Sequence, residues 1–523
     1  MPQTLLGHAV QFASMNIVLQ IAFRISTFIL NAVLLRYVSR DVLGIVNVRL
    51  TLLYSTVLFL SHEAFRKSCL NPDTLKLWKN NKNLLWLSFP GAILCSFAFG
   101  SVWVFLLSVP PKEITSNYSI GVVLTCICCC VEKLAEPMYI AGQALRLVKT
   151  KVVIEGLVQV VKVSIFAGLT IFCSASVDPV LGFCFAQLAA SSVYFLAYCV
   201  VFTRDHRITE GRILGFGDFI PDSSIIHAWK QPNASLTWSF FKQGFMKQLL
   251  TEGERYVMTF IPVLSFADQG VFDIVNNLGS LAARFIFLPI EEASHFYFAQ
   301  SVRRGNESSQ VLGKLIRSMM LIGLTIFAFA IPFAEPFLFL YGGAALANSE
   351  APKLLVAHAF YVVFLAINGV TECYSFVCMT KEQLERYNVK LLWISGAFLL
   401  ASYLLTSWLG SVGFIFANCC NMALRILNSV EVIKKQKLKD NPLDELKPRT
   451  VTVALLTIGS FLAYCSKVYI FPRSILIHLL IGASVFLWCI ASMGLTTEKD
   501  LMLSALGYFF RRHLSGHETK KMQ

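Results

Sequence analysis

Basic residues stand inside apolar runs at Arg24, Arg49, Lys162, Lys247, Arg255, Arg284, Arg425 and Lys467. A guanidinium presents a rigid fork of donors that matches phosphate oxygens, and an ammonium adds a compact point charge. Each such cation near the centre of a bilayer costs ~2.5–3.5 kcal/mol on insertion scales, so four of them cost about 10–14 kcal/mol. They are therefore expected to face a watery cavity, one another, or nearby acids. The acids inside these runs or at their ends are Glu132, Glu136, Glu252, Glu254, Asp273 and Glu372, fewer than the cations and their basic neighbours. The expected outcome is a net-positive cleft that takes an anionic lipid headgroup, with Arg24, Arg49, Arg255, Arg284 and Arg425 as its phosphate contacts.

The acids have a plainer use as well. Glu132 and Glu136 lie four apart on one helical face, with Lys133 beside them and Pro137 following, so a salt bridge that positions a helix end is expected ahead of proton coupling. Glu252 and Glu254 with Arg255 pose the same choice, and structural pairing is again the expectation. Arg49 and Lys467 can snorkel to an interface, and Lys162 can meet a carboxylate. The cysteine cluster Cys126, Cys128, Cys129 and Cys130 has no histidine or second cysteine pair beside it, which reads as apolar helix filler and not as a metal or redox site.

The elements that must position these groups are membrane helices. With 56% hydrophobic and only 15% charged residues in a chain of 523, the apolar surface exceeds what soluble domains of ordinary proportions bury. Apolar runs of spanning length lie near 14–36, 42–62, 84–108, 118–140, 150–173, 178–203, 242–264, 269–290, 315–334, 352–378, 391–408, 411–433, 451–472 and 474–495. The expected organisation is an all-α polytopic membrane protein of about fourteen helices: a six-helix bundle over 1–203, a cytosolic linker over 204–241, a second bundle over 242–433, a basic loop over 434–450, two extra helices over 451–495 and a tail over 496–523. Arg66, Lys67, Lys76, Lys79, Lys82, Arg146, Lys149, Lys151 and the basic residues from Lys434 to Arg449 fill alternate loops, whereas 335–351 has no lysine or arginine; both termini are thereby expected in the cytosol. The first run is too long for a cleavable signal. Of the sequons at Asn117, Asn233 and Asn306, only Asn117 falls on the lumenal side, close against a span.

A net charge of +14 could serve nucleic acid, but the basic residues are scattered through short loops and apolar runs, which argues against it. There is no G-x-x-x-x-G-K-[ST] loop, nucleophile constellation or metal spacing, so neither enzymatic activity nor a cofactor is expected. The halves carry a short internal match: Gly44-Ile45-Val46 and Phe59-Leu60-Ser61-His62-Glu63 correspond to Gly270-Val271-Phe272 and Phe287-Leu288-Pro289-Ile290-Glu291. An even number of spans separates them, so the halves would share one orientation about an axis along the membrane normal.

Several strings carry a family resemblance: 47–56 (NVRLTLLYST), 63–67 (Glu63 to Lys67, including Arg66), 252–259 (EGERYVMT), 268–270, 274–280 (IVNNLGS), 368–373 (NGVTEC) and 411–414. Together they resemble the eukaryotic Rft family across nearly the whole chain, with 430–523 matching more loosely. The resemblance implies membership of the multidrug, oligosaccharidyl-lipid and polysaccharide exporter superfamily, which includes the bacterial lipid II flippase, and a fold of two six-helix bundles plus two helices. It also implies the endoplasmic reticulum membrane, a dolichyl diphosphate oligosaccharide as substrate, and a role in N-glycosylation, possible partners being other proteins of that pathway. It marks Glu63, Arg66 and Lys67 as a motif loop. An accessory or scaffold role in the same pathway is the competing expectation; a drug or cation antiporter would call for surplus carboxylates instead of surplus cations.

Overall fold

The computed structural model describes residues 25–499 apart from 27, 30, 34, 71–73, 75–77, 146, 174–176, 205–215, 223–231, 262, 305–307, 437–440 and 497. The described residues form helices and loops. Ten of the helices are long and apolar enough to cross a membrane. The first expected span, 14–36, falls mostly outside the described residues, and Arg24 with it.

The chain divides into two compact units, Met1–Val271 and Phe272–Gln523. In the first, α1 (Arg40–Cys69) is the central rod, opened by Ser39, whose Oγ accepts from Val42 N at 3.3 Å. Its residues Ile45, Val46, Val48, Leu50, Leu52, Leu53 and Val57 are fully buried, because α1 is packed by neighbours on several sides and not along a single stripe. Around it stand α2 (Asn81–Leu106), α3 (Tyr118–Lys133), α4 (Glu136–Ala144), α5 (Val148–Phe172), α6 (Pro179–Arg204), α7 (Pro232–Thr251) and α8 (Gly253–Phe260). Asp178 closes the start of α6, accepting from Val180 N at 2.8 Å and from Thr115 Oγ1 at 2.6 Å.

Two boundaries differ from the sequence expectation. The run near 118–140 is broken: α3 and α4 are bent by 42° across Leu134 and Ala135, where Pro137 in the first turn of α4 supplies no N–H to an unbroken ladder. Helix α7 begins at Pro232, inside the stretch read as linker, and packs along α1. Proline suits a first helical turn, and the apolar residues Leu236, Trp238, Phe240, Phe241 and Phe245 carry the helix on. Part of the linker is itself fixed. Trp78 and Trp86 donate their indole N–H groups to the carbonyls of Asp218 and Phe219 at 3.1 and 2.6 Å, and Lys82 meets Asp222 at 3.0 Å.

Helix α9 (Phe266–Gly279) starts in this first unit against α1. Gly44 and Gly270, matched by the internal repeat, lie against each other here: a Cβ on Gly270 would sit 2.8 Å from Gly44 N, and one on Gly44 would overlap the carbonyl of Phe266. Only glycine permits so close a backbone approach.

The second unit continues with α10 (Leu288–Arg304), α11 (Ser308–Gly342), α12 (Ala351–Cys378), α13 (Lys381–Leu409), α14 (Val412–Lys435), α15 (Thr450–Tyr469) and α16 (Ile475–Thr496). Phe287, Phe298, Leu312, Ile316, Met319, Val362, Ala366, Val370 and Tyr374 form its core. Thr380 and Gln383 close the start of α13 as a capping box. In α11, Pro332 has no N–H to give the carbonyl of Ala328; Ser460 Oγ on α15 donates to it instead, at 2.7 Å. Arg317 holds Glu498 and Glu445 at 2.6 and 2.8 Å, which ties the end of α16 and the turn Pro442–Leu446 to α11.

Candidate functional site

Each unit carries a buried polar cluster among its apolar helices. In the first, the last turns of α1 bring His62, Glu63, Arg66 and Lys67 to one end of the helix. Arg66 reaches across to the first turn of α4, where its Nε and Nη2 both engage the Glu136 carboxylate, the second at 3.0 Å. Lys133, at the last position of α3, donates to Glu136 Oε2 at 3.1 Å and to His62 Nδ1 at 2.8 Å. The break between α3 and α4 makes this possible, because it turns Lys133 and Glu136 toward one point and places the carboxylate at a helix N-terminus, where the peptide dipoles favour negative charge. Glu136 and Lys133 are almost wholly buried, while Arg66 keeps a quarter of its surface and lies 3.9 Å above the Tyr139 ring.

One turn earlier, Glu132 accepts from the Tyr54 hydroxyl and from Ser191 Oγ at 3.2 Å, within electrostatic reach of Lys162, which rests 4.5 Å over the Phe183 ring. Three cations, Arg66, Lys133 and Lys162, thus share two carboxylates, Glu132 and Glu136. Glu63 holds Lys67 at 3.1 Å and lies 3.9 Å from Lys247.

In the second unit, α12 presents Glu372 to three donors from three positions: Asn368 Nδ2 at 2.9 Å, Tyr387 Oη on α13 at 2.5 Å and Arg425 Nη2 on α14 at 2.6 Å. Glu291 on α10 lies against Gly369, whose missing side chain leaves the room for it. Here the cation, Arg425, is paired with Glu372.

The remaining residues named from the sequence lie apart from these clusters. Arg49 is 2% exposed; its Nη1 and Nη2 hold the carbonyl and Oγ of Ser108 at 2.5 and 2.9 Å, and its guanidinium stacks 4.5 Å from the Phe266 ring centre. It clasps the loop after α2, its donors facing loop atoms and an aromatic ring. Arg255 pairs with Glu252 at 3.0 Å one turn away, and Glu254 is half-buried on the same helix. Arg284 is exposed, with Nη2 3.4 Å from Asn277 Oδ1. Lys467 meets Glu335 at 2.8 Å. Arg255, Arg425 and Lys467 thus each have a carboxylate partner. The sequence reading missed Tyr54, His62, Tyr139, Asn368, Tyr387 and Glu291. His62 stands four residues before Arg66, and Glu291 was matched to Glu63 in the internal repeat; those spacings were the available signals.

A family profile described as Rft protein matches residues 8–507. The chain belongs to the Rft family. Man(5)GlcNAc(2)-PP-dolichol translocation protein RFT1 of Xenopus tropicalis is 42% identical over 546 residues, covering 100% of this chain and 99% of that protein. The Mus musculus protein of the same name is 41% identical over 90% of each chain, and that of Drosophila melanogaster 34% identical over 97% of this chain and 99% of its own. Among solved structures, lipid II flippase MurJ in an inward closed conformation superposes with a TM-score of 0.62 at 13% identity, covering 93% of this chain and 99% of that one. An inward-facing multidrug resistance MATE transporter gives 0.50 at 13% identity, over 80% and 96%. At such low identity these likenesses bear on the fold, which this Rft chain shares with that class of membrane proteins.

Proposed function

We propose that this Rft chain carries a diphosphate-linked glycolipid of the Man(5)GlcNAc(2)-PP-dolichol type from the cytosolic to the lumenal leaflet of the endoplasmic reticulum membrane, for protein N-glycosylation. The observation that carries this reading is the end-to-end match to translocation proteins of that name, with the Xenopus protein 42% identical across the whole chain. The physics agrees. Each sugar hydroxyl costs ~4–8 kcal/mol to move from water into hydrocarbon without a partner, so an oligosaccharide does not cross unaided. A hydrophilic path removes that barrier while the polyisoprenyl tail stays in lipid.

On this reading the chain crosses the membrane about fourteen times, keeps both termini in the cytosol and does no covalent chemistry. Its two bundles form a parallel repeat that rocks about the substrate path. The proposed phosphate contacts are Arg24, Arg255, Arg284 and Arg425, of which Arg255 and Arg425 exchange a carboxylate for phosphate as substrate enters. The surplus positive charge around Arg66 and Lys133 draws the anionic headgroup to the cytosolic end of α1.

Binding to the purified full-length chain in nanodiscs tests this. A water-soluble short-chain analogue of the diphosphate glycolipid should bind with an affinity that falls with salt, and Arg255→Gln with Arg425→Gln should weaken it at least tenfold. Equal binding of the same oligosaccharide lacking phosphate would overturn the reading.

A further inference from the structure

Four helices of the first unit bring side chains to one aromatic ring. Tyr139 on α4 is 8% exposed, and the Arg66 guanidinium of α1 and the Lys151 ammonium of α5 lie 3.9 and 5.4 Å from its ring centre. Tyr198 on α6 meets the same ring edge-on, with centres 6.1 Å apart. Both cations have donors to spare. Arg66 spends Nε and Nη2 on Glu136, which leaves Nη1 without a partner among the described residues, and a quarter of its side chain is open. Lys151 is half-buried, and its Nζ lies 3.9 Å from the exposed Glu155, the outer limit of an ion pair.

Two further observations give this place an affinity for an anion. Tyr198 is 3% exposed, yet its hydroxyl has no hydrogen-bond partner; Tyr194, with its ring centre 5.1 Å away, stands beside it without bonding geometry. That hydroxyl lies within electrostatic reach of Glu155, Tyr139 and Arg66, so it shares their surroundings. A buried hydroxyl without a partner is costly, and an anion beside it would accept its proton in a hydrogen bond. The second observation is the start of α5, which opens at Val148 with no side-chain cap and no acid in its first turn; Lys149 and Lys151 stand there instead. A helix N-terminus disfavours cations and attracts negative charge through its free N–H groups, so an anion at this end suits the lysines and the dipole alike. The local charge leans the same way, since Arg66, Lys133 and Lys151 outnumber Glu136 and Glu155.

We infer that Arg66, Lys151 and the Tyr198 hydroxyl form a phosphate-binding site beside Tyr139, at the start of α5. A guanidinium N–H, an ammonium and a phenol O–H are donors that phosphate oxygens accept from readily. Phosphate carries more charge than the Glu155 carboxylate and displaces it from Lys151, while Glu136 keeps Arg66 Nε and Nη2. Lys133 stays outside the site, because its ammonium is spent on Glu136 and His62. That the phosphate belongs to a glycolipid rests on the function proposed above; the site itself does not.

Inorganic diphosphate titrated by calorimetry into the purified full-length chain, in nanodiscs of zwitterionic lipid, tests the site. Binding should be saturable and should weaken as salt rises. Lys151→Gln and Tyr198→Phe should each weaken it about tenfold, the value of one hydrogen bond to a charged group. Both variants keep the Arg66–Glu136 pair, and a thermal transition shows that each is folded. A Tyr198 hydroxyl with a purely structural role would leave the affinity of Tyr198→Phe unchanged. Lys353→Gln, at an exposed lysine of the second unit, should bind as the wild type does. No saturable binding, unchanged affinity in either Lys151→Gln or Tyr198→Phe, or an equal loss in Lys353→Gln would overturn the inference. A water-soluble short-chain glycolipid diphosphate should compete with inorganic diphosphate. If it does not, while diphosphate binding still depends on Lys151, the site stands for a soluble phosphate and the glycolipid function is what fails.

Discussion

Replacing Glu136 by glutamine should be among the most damaging single changes to the first unit. Glu136 is 1% exposed and accepts from both Arg66 and Lys133, and Lys133 is itself 2% exposed. Breaking a buried pair by removing one partner leaves an uncompensated charge and costs about 3–5 kcal/mol. Most of that cost should sit on Lys133, whose remaining hydrogen-bond partner is a histidine ring nitrogen, because Arg66 retains a quarter of its surface and can turn toward water. Glu136→Gln combined with Lys133→Met should accordingly recover more than half of the loss, a coupling of the size found for residues in direct contact. The chain offers its own reporter: Cys69, Cys128 and Cys129 are buried thiols that become reactive to a fluorogenic maleimide on unfolding. Midpoints of that reaction on heating, for the wild type, the two single variants and the double variant, complete the cycle. A Glu136→Gln midpoint equal to the wild type, or a double variant no better than Glu136→Gln alone, would refute the reasoning that this carboxylate neutralises a buried ammonium.

Gly44→Ala places a Cβ against the backbone of Phe266 and should cost about 1–3 kcal/mol by overpacking, whereas Gly168→Ala, with open space around it, should be neutral or slightly stabilising; equal thermal midpoints for the two would contradict the close crossing of α1 and α9. Ser460→Ala leaves the Ala328 carbonyl without its donor and should cost about 1 kcal/mol, while Ser484→Ala, on an exposed face, should cost less, as read in the same thermal assay. Arg317→Gln removes the tie to Glu445 and Glu498, so limited proteolysis should cut near 442–446 and after α16 faster than in the wild type; unchanged cleavage would mean that these segments are held by other contacts.

Much of the architecture is legible in hydropathy. Most expected runs beyond residue 36 lie largely on helix, since the cost of unpaired backbone groups in lipid leaves few alternatives for an apolar stretch of spanning length, but the run near 242–264 is divided between α7 and α8 and, like the run near 411–433, is not among the ten helices long and apolar enough to cross a membrane. The start of α7 was obscured because the segment Pro232–Ser239 mixes polar and aromatic residues, as a loop does. The break at Leu134 and Ala135 was foreshadowed by Pro137. The candidate sites were legible by residue type and not by pairing. Glu136, Glu372, Arg66 and Arg425 were all named from the sequence, yet Arg66 and Glu136 are 70 positions apart and Arg425 and Glu372 are 53 apart. Composition counts charges; it does not say how each helix is rotated, and rotation decides whether a cation meets an acid, a loop carbonyl as Arg49 does, or water. Around Arg66 and Lys133 two cations meet one carboxylate, whereas Arg425 meets Glu372 one to one.

The most direct measurement is transbilayer movement itself. Vesicles containing the purified chain and labelled Man(5)GlcNAc(2)-PP-dolichol in one leaflet should expose the glycolipid to a reagent on the opposite side at least tenfold faster than protein-free vesicles, with Arg255→Gln/Arg425→Gln protein close to the empty-vesicle rate. Wild-type protein that leaves the rate at the empty-vesicle value, in a preparation shown to be folded by its thermal transition, would contradict the proposal that this chain is the carrier.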